Sequence, residues 1–187
     1  MRVLFAGLAL LLAAAPAAAQ PAPGLEKPVE LEIGGGPSVP VGDARDAFHN
    51  GWHARGFLRL RLPALPMVVR LGVTFQHFGW DAAHVGASGS QRLFAGVGSL
   101  EYDLLSVGPV RPCILAGAGV YQVQASSDVG ASTSVTRFGL DAGAGATLKL
   151  MGLSLFAEAH VANVFDAGNG PGSHSLQMVP LTVGVLF

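Results

Sequence analysis

The sequence has little charge and almost no cysteine. Charged residues make up 12% of the 187 residues, and the formal net charge is -1. This balance gives no electrostatic basis for binding nucleic acid. Cys113 is the only cysteine, so the chain cannot form an internal disulfide. With no Cys-x-x-Cys pair present, no metal site and no cofactor are predicted.

Long apolar runs are also missing after the first residues. Arg2, the apolar run 3–15 and the small residues 17–19 have the three regions of a secretory signal peptide cut near Ala19. The run is shorter than the ~20 residues of a spanning helix. We therefore expect Sec-type export of a chain with a signal peptide at 1–19, a short periplasmic leader at 20–27 and one domain at 28–187.

Helical periodicity is absent from that domain, and strand periodicity takes its place. Apolar and polar residues alternate in eight runs of about ten residues, the length of a tilted strand that crosses a membrane. The runs are 28–40, 52–62, 67–79, 91–104, 111–124, 135–150, 153–165 and 177–187. Short gaps alternate with long polar gaps, so the predicted fold is all-β: an eight-stranded antiparallel up-and-down transmembrane β-barrel.

The two faces of each run favour a membrane barrel over a soluble one. Aromatic residues of the apolar faces lie at strand ends, as in the two aromatic girdles of membrane barrels. They are Trp52, Phe75, Phe94, Tyr102, Phe138, Phe165 and Phe187. The middles of the apolar faces are small, which suits a lipid-facing wall better than a soluble core.

Charges of both signs share the other face, and a narrow lumen requires such charges to pair. The predicted lumen network contains Glu30, Glu32, Arg55, Arg59, Arg61, Arg70, Glu101, Asp103, Arg137, Asp141, Lys149 and Glu158. Hairpins centred on the long gaps would place Arg70 opposite Glu101, Glu32 opposite Arg59 and Glu30 opposite Arg61.

Several segments resemble the outer-membrane protein β-barrel family of OmpA/OmpX-like eight-stranded barrels. They are "GGGPSVPVGD", "VRLGVTFQHF", "VRPCILAGAGVY", "RFGLDAGAGATLKL", "LSLFAEAHVANVF" and the closing "PLTVGVLF". The resemblance implies an outer-membrane location and a last strand, ending at Phe187, that is read by the barrel-assembly machinery. The chain ends where some relatives continue into a peptidoglycan-binding domain, so that function is not carried over.

The expected function is structural or surface-interactive, through four extracellular loops and without catalysis. The expected surroundings are outer-membrane lipid and lipopolysaccharide, around a monomer. His49, His53, His84 and His174 are interpreted as polar residues in or beside the loops.

Three alternatives remain open: a small gated pore, a soluble secreted β-barrel that binds an apolar ligand, and a lipid-modifying barrel enzyme. The enzyme would need a serine with a histidine base. His174 and Ser175, with Glu158 and His160 on the preceding strand, are the candidates for it. The glycine-rich strings match no phosphate-binding loop and are assigned to the architecture.

Overall fold

The computed structural model describes residues 27–62, 67–85, 88–104, 108–128, 130, 132–150, 152–165 and 175–187. The predicted signal peptide and nearly all of the leader lie outside these residues. The strands are β1 Val29–Val41, β2 Gly51–Arg61, β3 Met67–Gly79, β4 Gly89–Asp103, β5 Val110–Ser127, β6 Ser132–Leu150, β7 Leu153–Val164 and β8 Leu176–Leu186. Two single helical turns, α1 Ala44–Ala47 and α2 Ala82–Val85, follow β1 and β3. No helix in the described ranges is long and apolar enough to cross a membrane.

The eight strands form a closed barrel in sequence order, with β1 paired to β8. Every pairing is antiparallel, which confirms the predicted fold class. If the paired residues are followed once around the barrel from Leu31 on β1, the path returns to β1 at Val41. The strands are therefore staggered by ten residues in one circuit. The circuit runs Leu31, Leu58, Leu71, Gly98, Ala118, Leu140, Asn163, Gln177, Val41. For eight strands this stagger corresponds to a strand tilt of roughly 40°.

The connections divide the barrel into two ends. We call the end with connections 42–50, 80–88, 128–131 and 165–175 the loop end, and the end with connections 62–66, 104–109 and 151–152 the turn end. The third predicted long gap is shorter than expected, because β5 and β6 extend to Ser127 and from Ser132 as a long hairpin. The fourth lies at 166–174, outside the described residues.

Alternation along the strands separates two opposite surfaces. Large apolar side chains cover the outside, among them Leu58, Leu71 and Val183, the last of them 67% exposed. Charged side chains such as Arg70 and Glu101 are buried inside. A water-soluble barrel would have the reverse arrangement, so this distribution is that of a membrane barrel.

Inward glycines provide space for the large interior side chains. Gly34 on β1 and Gly184 on β8 both face the ring of Phe156 on β7. A Cβ atom at Gly34 would lie 2.7 Å from this ring, and one at Gly184 would lie 2.5 Å from it. The glycine strings therefore allow bulky residues inside a narrow barrel.

Candidate functional site

Arg70, the fourth residue of β3, is the centre of an ion-pair network inside the barrel and is 1% exposed. Its guanidinium group is within ion-pair distance of three carboxylates, with N–O distances of 2.7 Å to Glu32, 3.0 Å to Glu158 and 3.2 Å to Glu101. The ring of Phe57 lies 5.2 Å from its Cζ atom, in cation–π geometry. One arginine thus joins strands β1, β3, β4 and β7 across the lumen.

Arg59 on β2 extends this network toward the turn end. It pairs with Glu101 and donates a hydrogen bond of 3.2 Å to Glu30. The centre of the network contains three guanidinium groups and three carboxylates, so its formal charges balance. These six charged groups belong to Arg55, Arg59, Arg70, Glu32, Glu101 and Glu158. Buried charges are tolerated in this arrangement, because each has partners of opposite sign.

Arg55 extends the network toward the loop end. It pairs with Glu158 and lies 2.8 Å from a Glu32 oxygen. The Nε2 atom of His160 is 2.9 Å from both Arg55 and Glu158, and its Nδ1 atom is 3.4 Å from Asp141. The imidazole therefore connects the central carboxylates to β6.

A smaller group of charges lies at the turn end. Arg61 and Asp103 form an ion pair of 2.6 Å. Lys149 on β6 and Arg111 on β5 also face inward at this end, where Arg111 is opposite Thr147. Sequence reasoning missed Arg111, although it shares strand parity with the inward-facing Cys113.

Arg137 lies away from the central network. It is half-buried on β6, directly opposite Tyr121, on the loop-end side of Asp141. The structure therefore brings most of the predicted lumen charges together, with Arg137 closer to the loop end.

The predicted pairs across two hairpins were wrong in register by two residues. Arg70 is opposite Ser99, whereas Glu30 is opposite Arg59 and Glu32 is opposite Phe57. An even shift keeps every side chain on its face, so long side chains still meet diagonally.

Apart from Arg137, the loop-end half of the lumen is mostly apolar, which the sequence analysis did not predict. Phe78, Leu93 and Met178 are almost fully buried and belong to one cluster. The other members are Phe57, Ala95, Val97, Tyr121, Val123, Ala162 and Val164. Because β4 and β5 carry small or apolar residues on both faces, their inward sides gave no polar signal.

Phe48, in the connection after β1, covers this apolar cluster at the loop end. Its ring centroid lies 6.1 Å from that of Phe78, and its backbone pairs with Trp80. Ala44 in α1 is also buried. The first connection therefore folds over the mouth of the barrel.

A polar layer separates the ionic and apolar parts of the interior. His53 contacts the Thr182 hydroxyl at 2.9 Å, and Ser38 donates to Gln76 at 3.1 Å. His53 is 3% exposed, so it lies inside the barrel beside the first long connection and is not exposed in it. A cavity of about 40 Å³ lies here, enough for only a few water molecules.

Neither possible metal constellation in the described residues favours an ion. His49 and His53 have helical ligand spacing, but His49 is exposed and His53 points into the lumen on a strand. Ligand atoms of Glu101, Cys113 and Glu158 lie within 4.8 Å of one another. Both carboxylates are already paired with arginines, whose positive charges oppose a bound cation.

The predicted girdle residues lie on the outer wall in two groups. Toward the loop end, the ring centroids of Trp52 and Phe75 are 5.3 Å apart, and those of Phe138 and Phe165 are 6.3 Å apart. Phe94 is directly opposite Phe75. Tyr102 and Phe187 lie toward the turn end and are exposed.

Neither a known family profile nor a curated protein sequence matches the chain. Solved structures with a similar fold include Neisserial surface protein A, with a TM-score of 0.65 and 16% sequence identity over 86% of this chain and 96% of that chain. A major outer membrane protein from Thermus thermophilus is also similar, with a TM-score of 0.52 and 17% identity over 85% of this chain and 99% of that chain. The fold is therefore that of the eight-stranded outer-membrane β-barrels, as the sequence resemblance implied.

Proposed function

We propose that this chain is a closed, non-catalytic barrel of the outer membrane that acts through its extracellular face, in envelope structure or surface contact. In the proposed orientation the loop end is extracellular and the turn end is periplasmic. The observation that carries the proposal is the filled interior: charged residues occupy one half, and the cluster around Phe78 occupies the other.

The two halves of the lumen oppose permeation in different ways. An ion passing Arg70 would have to separate the guanidinium group from three carboxylates. The same ion would then have to cross buried Phe78 and Met178, which offer it no polar contacts. These barriers favour a closed barrel over the gated-pore alternative.

The first connection and residues 79–81 form one hydrogen-bonded surface at the loop end. The His49 amide donates to the Gly79 carbonyl at 2.9 Å, and the Asp81 amide donates to the Ala47 carbonyl at 2.9 Å. Arg45 and His49 are exposed on this surface. A fixed scaffold that presents polar loop residues suits recognition. The name of one structural neighbour, Neisserial surface protein A, is in keeping with this role.

The remaining alternatives have less support. A soluble barrel with an apolar ligand inside would need the opposite distribution of charge and apolar surface. For the lipid-modifying enzyme, His174 lies outside the described residues, and Glu158 and His160 are engaged with Arg55 in the lumen. Export, recognition by the barrel-assembly machinery and a monomeric state complete the proposal.

Location and orientation are tested by labelling cysteine variants in intact cells, with Cys113 replaced by serine. We expect a membrane-impermeant maleimide to label Arg45→Cys, and to label Gly108→Cys at the turn end only after lysis. The barrel should fractionate with the outer membrane and change electrophoretic mobility on boiling. Release into the soluble fraction without detergent would contradict the proposal.

Closure is tested by planar-bilayer recordings of the wild type and of Phe48→Ala. Neither should produce conductance steps, because the Phe78 layer and the ionic layer remain in the variant. Regular conductance steps from the wild type would instead support the gated pore.

A further inference from the structure

Within the described strands, the outer wall carries a single charged side chain. Among the outward-facing residues of the eight described strands, every position is apolar or uncharged except Arg92 on β4. Its side chain is exposed, and no hydrogen bond or ion pair joins it to another of the described residues. All other strand arginines point into the lumen. Arg92 therefore has no role in the interior network.

Arg92 has polar neighbours on both sides. His77 on β3 and Gln124 on β5 are its direct cross-strand partners and share its outward face. Trp52 on β2 is opposite His77, and their ring centroids are 6.2 Å apart. Adjacent strands are ~4.8 Å apart, so the three polar side chains can reach one small anion together.

The height of Arg92 on the wall suggests where such an anion would come from. Phe94 lies two residues further toward the membrane centre on the same face of β4, beside Phe75. At the tilt of the strands, this places Arg92 roughly 5 Å above the aromatic row, at the level of lipid headgroups. Arginine near a membrane interface extends toward headgroups, where its charge is solvated or paired.

We propose that Arg92, with His77 and Gln124, binds a phosphate group of an anionic lipid in the extracellular leaflet. A planar guanidinium group offers two parallel N–H donors that match two phosphate oxygens. The neighbouring imidazole and amide supply further donors, and the outward strand positions contain no carboxylate to compete. This inference rests on the proposed outer-membrane location.

The test is lipid binding by the full-length mature barrel in nanodiscs. The probes are bisphosphorylated lipid A, lipid A without phosphates, phosphatidylglycerol and phosphatidylcholine, each present at a low fraction and counted by native mass spectrometry. Arg92→Gln should weaken binding of the phosphorylated lipids about fivefold or more, and Arg92→Lys should weaken it less. Lys27→Gln, which removes an exposed cation before β1 at the turn end, should bind as the wild type does.

The outcomes separate the lipid sources and the two proposals. Selective loss of lipid A binding assigns the phosphate to a glycolipid, whereas equal loss for phosphatidylglycerol assigns a site that reads any lipid phosphate. Equal binding by Arg92→Gln and the wild type, in barrels that show the heat-dependent mobility shift, would overturn this inference alone. Failure of the wild type to enter nanodiscs as a heat-modifiable barrel would instead overturn the proposed location.

Discussion

Replacing Arg70 by methionine should strongly destabilise the barrel. Methionine fits the space of the aliphatic stem but removes the guanidinium group that contacts Glu32, Glu101 and Glu158. Three buried carboxylates would then share the two guanidinium groups of Arg55 and Arg59. The centre of the lumen would carry an uncompensated negative charge.

The size of the effect follows from this imbalance. Removing one partner of a buried ion pair costs about 3–5 kcal/mol, because the remaining charge stays desolvated. Since about 1.4 kcal/mol changes an equilibrium constant tenfold, the unfolding constant should rise by roughly two to four powers of ten. Adding Glu32→Gln should recover at least about 1 kcal/mol, because Arg59–Glu101 and Arg55–Glu158 remain as direct pairs.

The assay is urea unfolding in phospholipid vesicles, followed by tryptophan fluorescence and by the mobility shift on heating. Arg45→Met, which changes an exposed arginine on α1, is the matched control and should alter stability by less than about 0.5 kcal/mol. A loss below about 1 kcal/mol for Arg70→Met would refute the reasoning. The reasoning would also be refuted if the double variant Arg70→Met, Glu32→Gln were less stable than Arg70→Met alone.

Three further experiments test other parts of the barrel, two by the same unfolding assay and one by thiol labelling. Leu58→Arg on the lipid face should cost about 2–4 kcal/mol, whereas Gln124→Arg near the loop-end rim should cost about 1 kcal/mol or less; equal costs would contradict the placement of the apolar band. Gly72→Ala should cost about 1–3 kcal/mol because its Cβ would lie 2.7 Å from a Cα atom of β2. Gly96→Ala, with nothing within 4 Å of the new Cβ, should be nearly neutral; the reverse order would be inconsistent with the packing. The buried Cys113 thiol should react with maleimide in urea but not in the folded barrel, and rapid labelling of the native protein would show that the lumen is open.

The strand pattern and the direction of the faces were predictable from the sequence, because both depend on a two-residue period that the local sequence displays. In β2, for example, arginines alternate with leucines, so Arg59 and Leu58 could be assigned to opposite faces. Register was less predictable. The register depends on how far each strand extends into the loops, and the strands extend unequally. An even shift leaves every charged residue on the same face, so the alternation of residues does not distinguish one register from the next.

The apolar half of the lumen could not be found from alternation. Leu93 and Val123 face inward next to the outward residues Arg92 and Gln124, and Val97 lies between two outward glycines, so polarity does not mark the lumen face in these segments. The packing of Phe48, a loop residue, against this cluster also has no periodic signal in the sequence. Arg111 was the exception, since it was the first residue of the predicted fifth run and its parity with Cys113 was visible.

The division of the lumen into an ionic and an apolar half gives the barrel two independent means of closure. Salt or protonation can weaken ion pairs but leaves the packing of Phe78 against Leu93 and Met178 unchanged. Loss of an aromatic residue near the mouth opens space there but leaves Arg70 held by three carboxylates. A continuous aqueous path would therefore require both layers to rearrange at once. This double requirement is the physical basis for proposing a closed barrel over a gated pore.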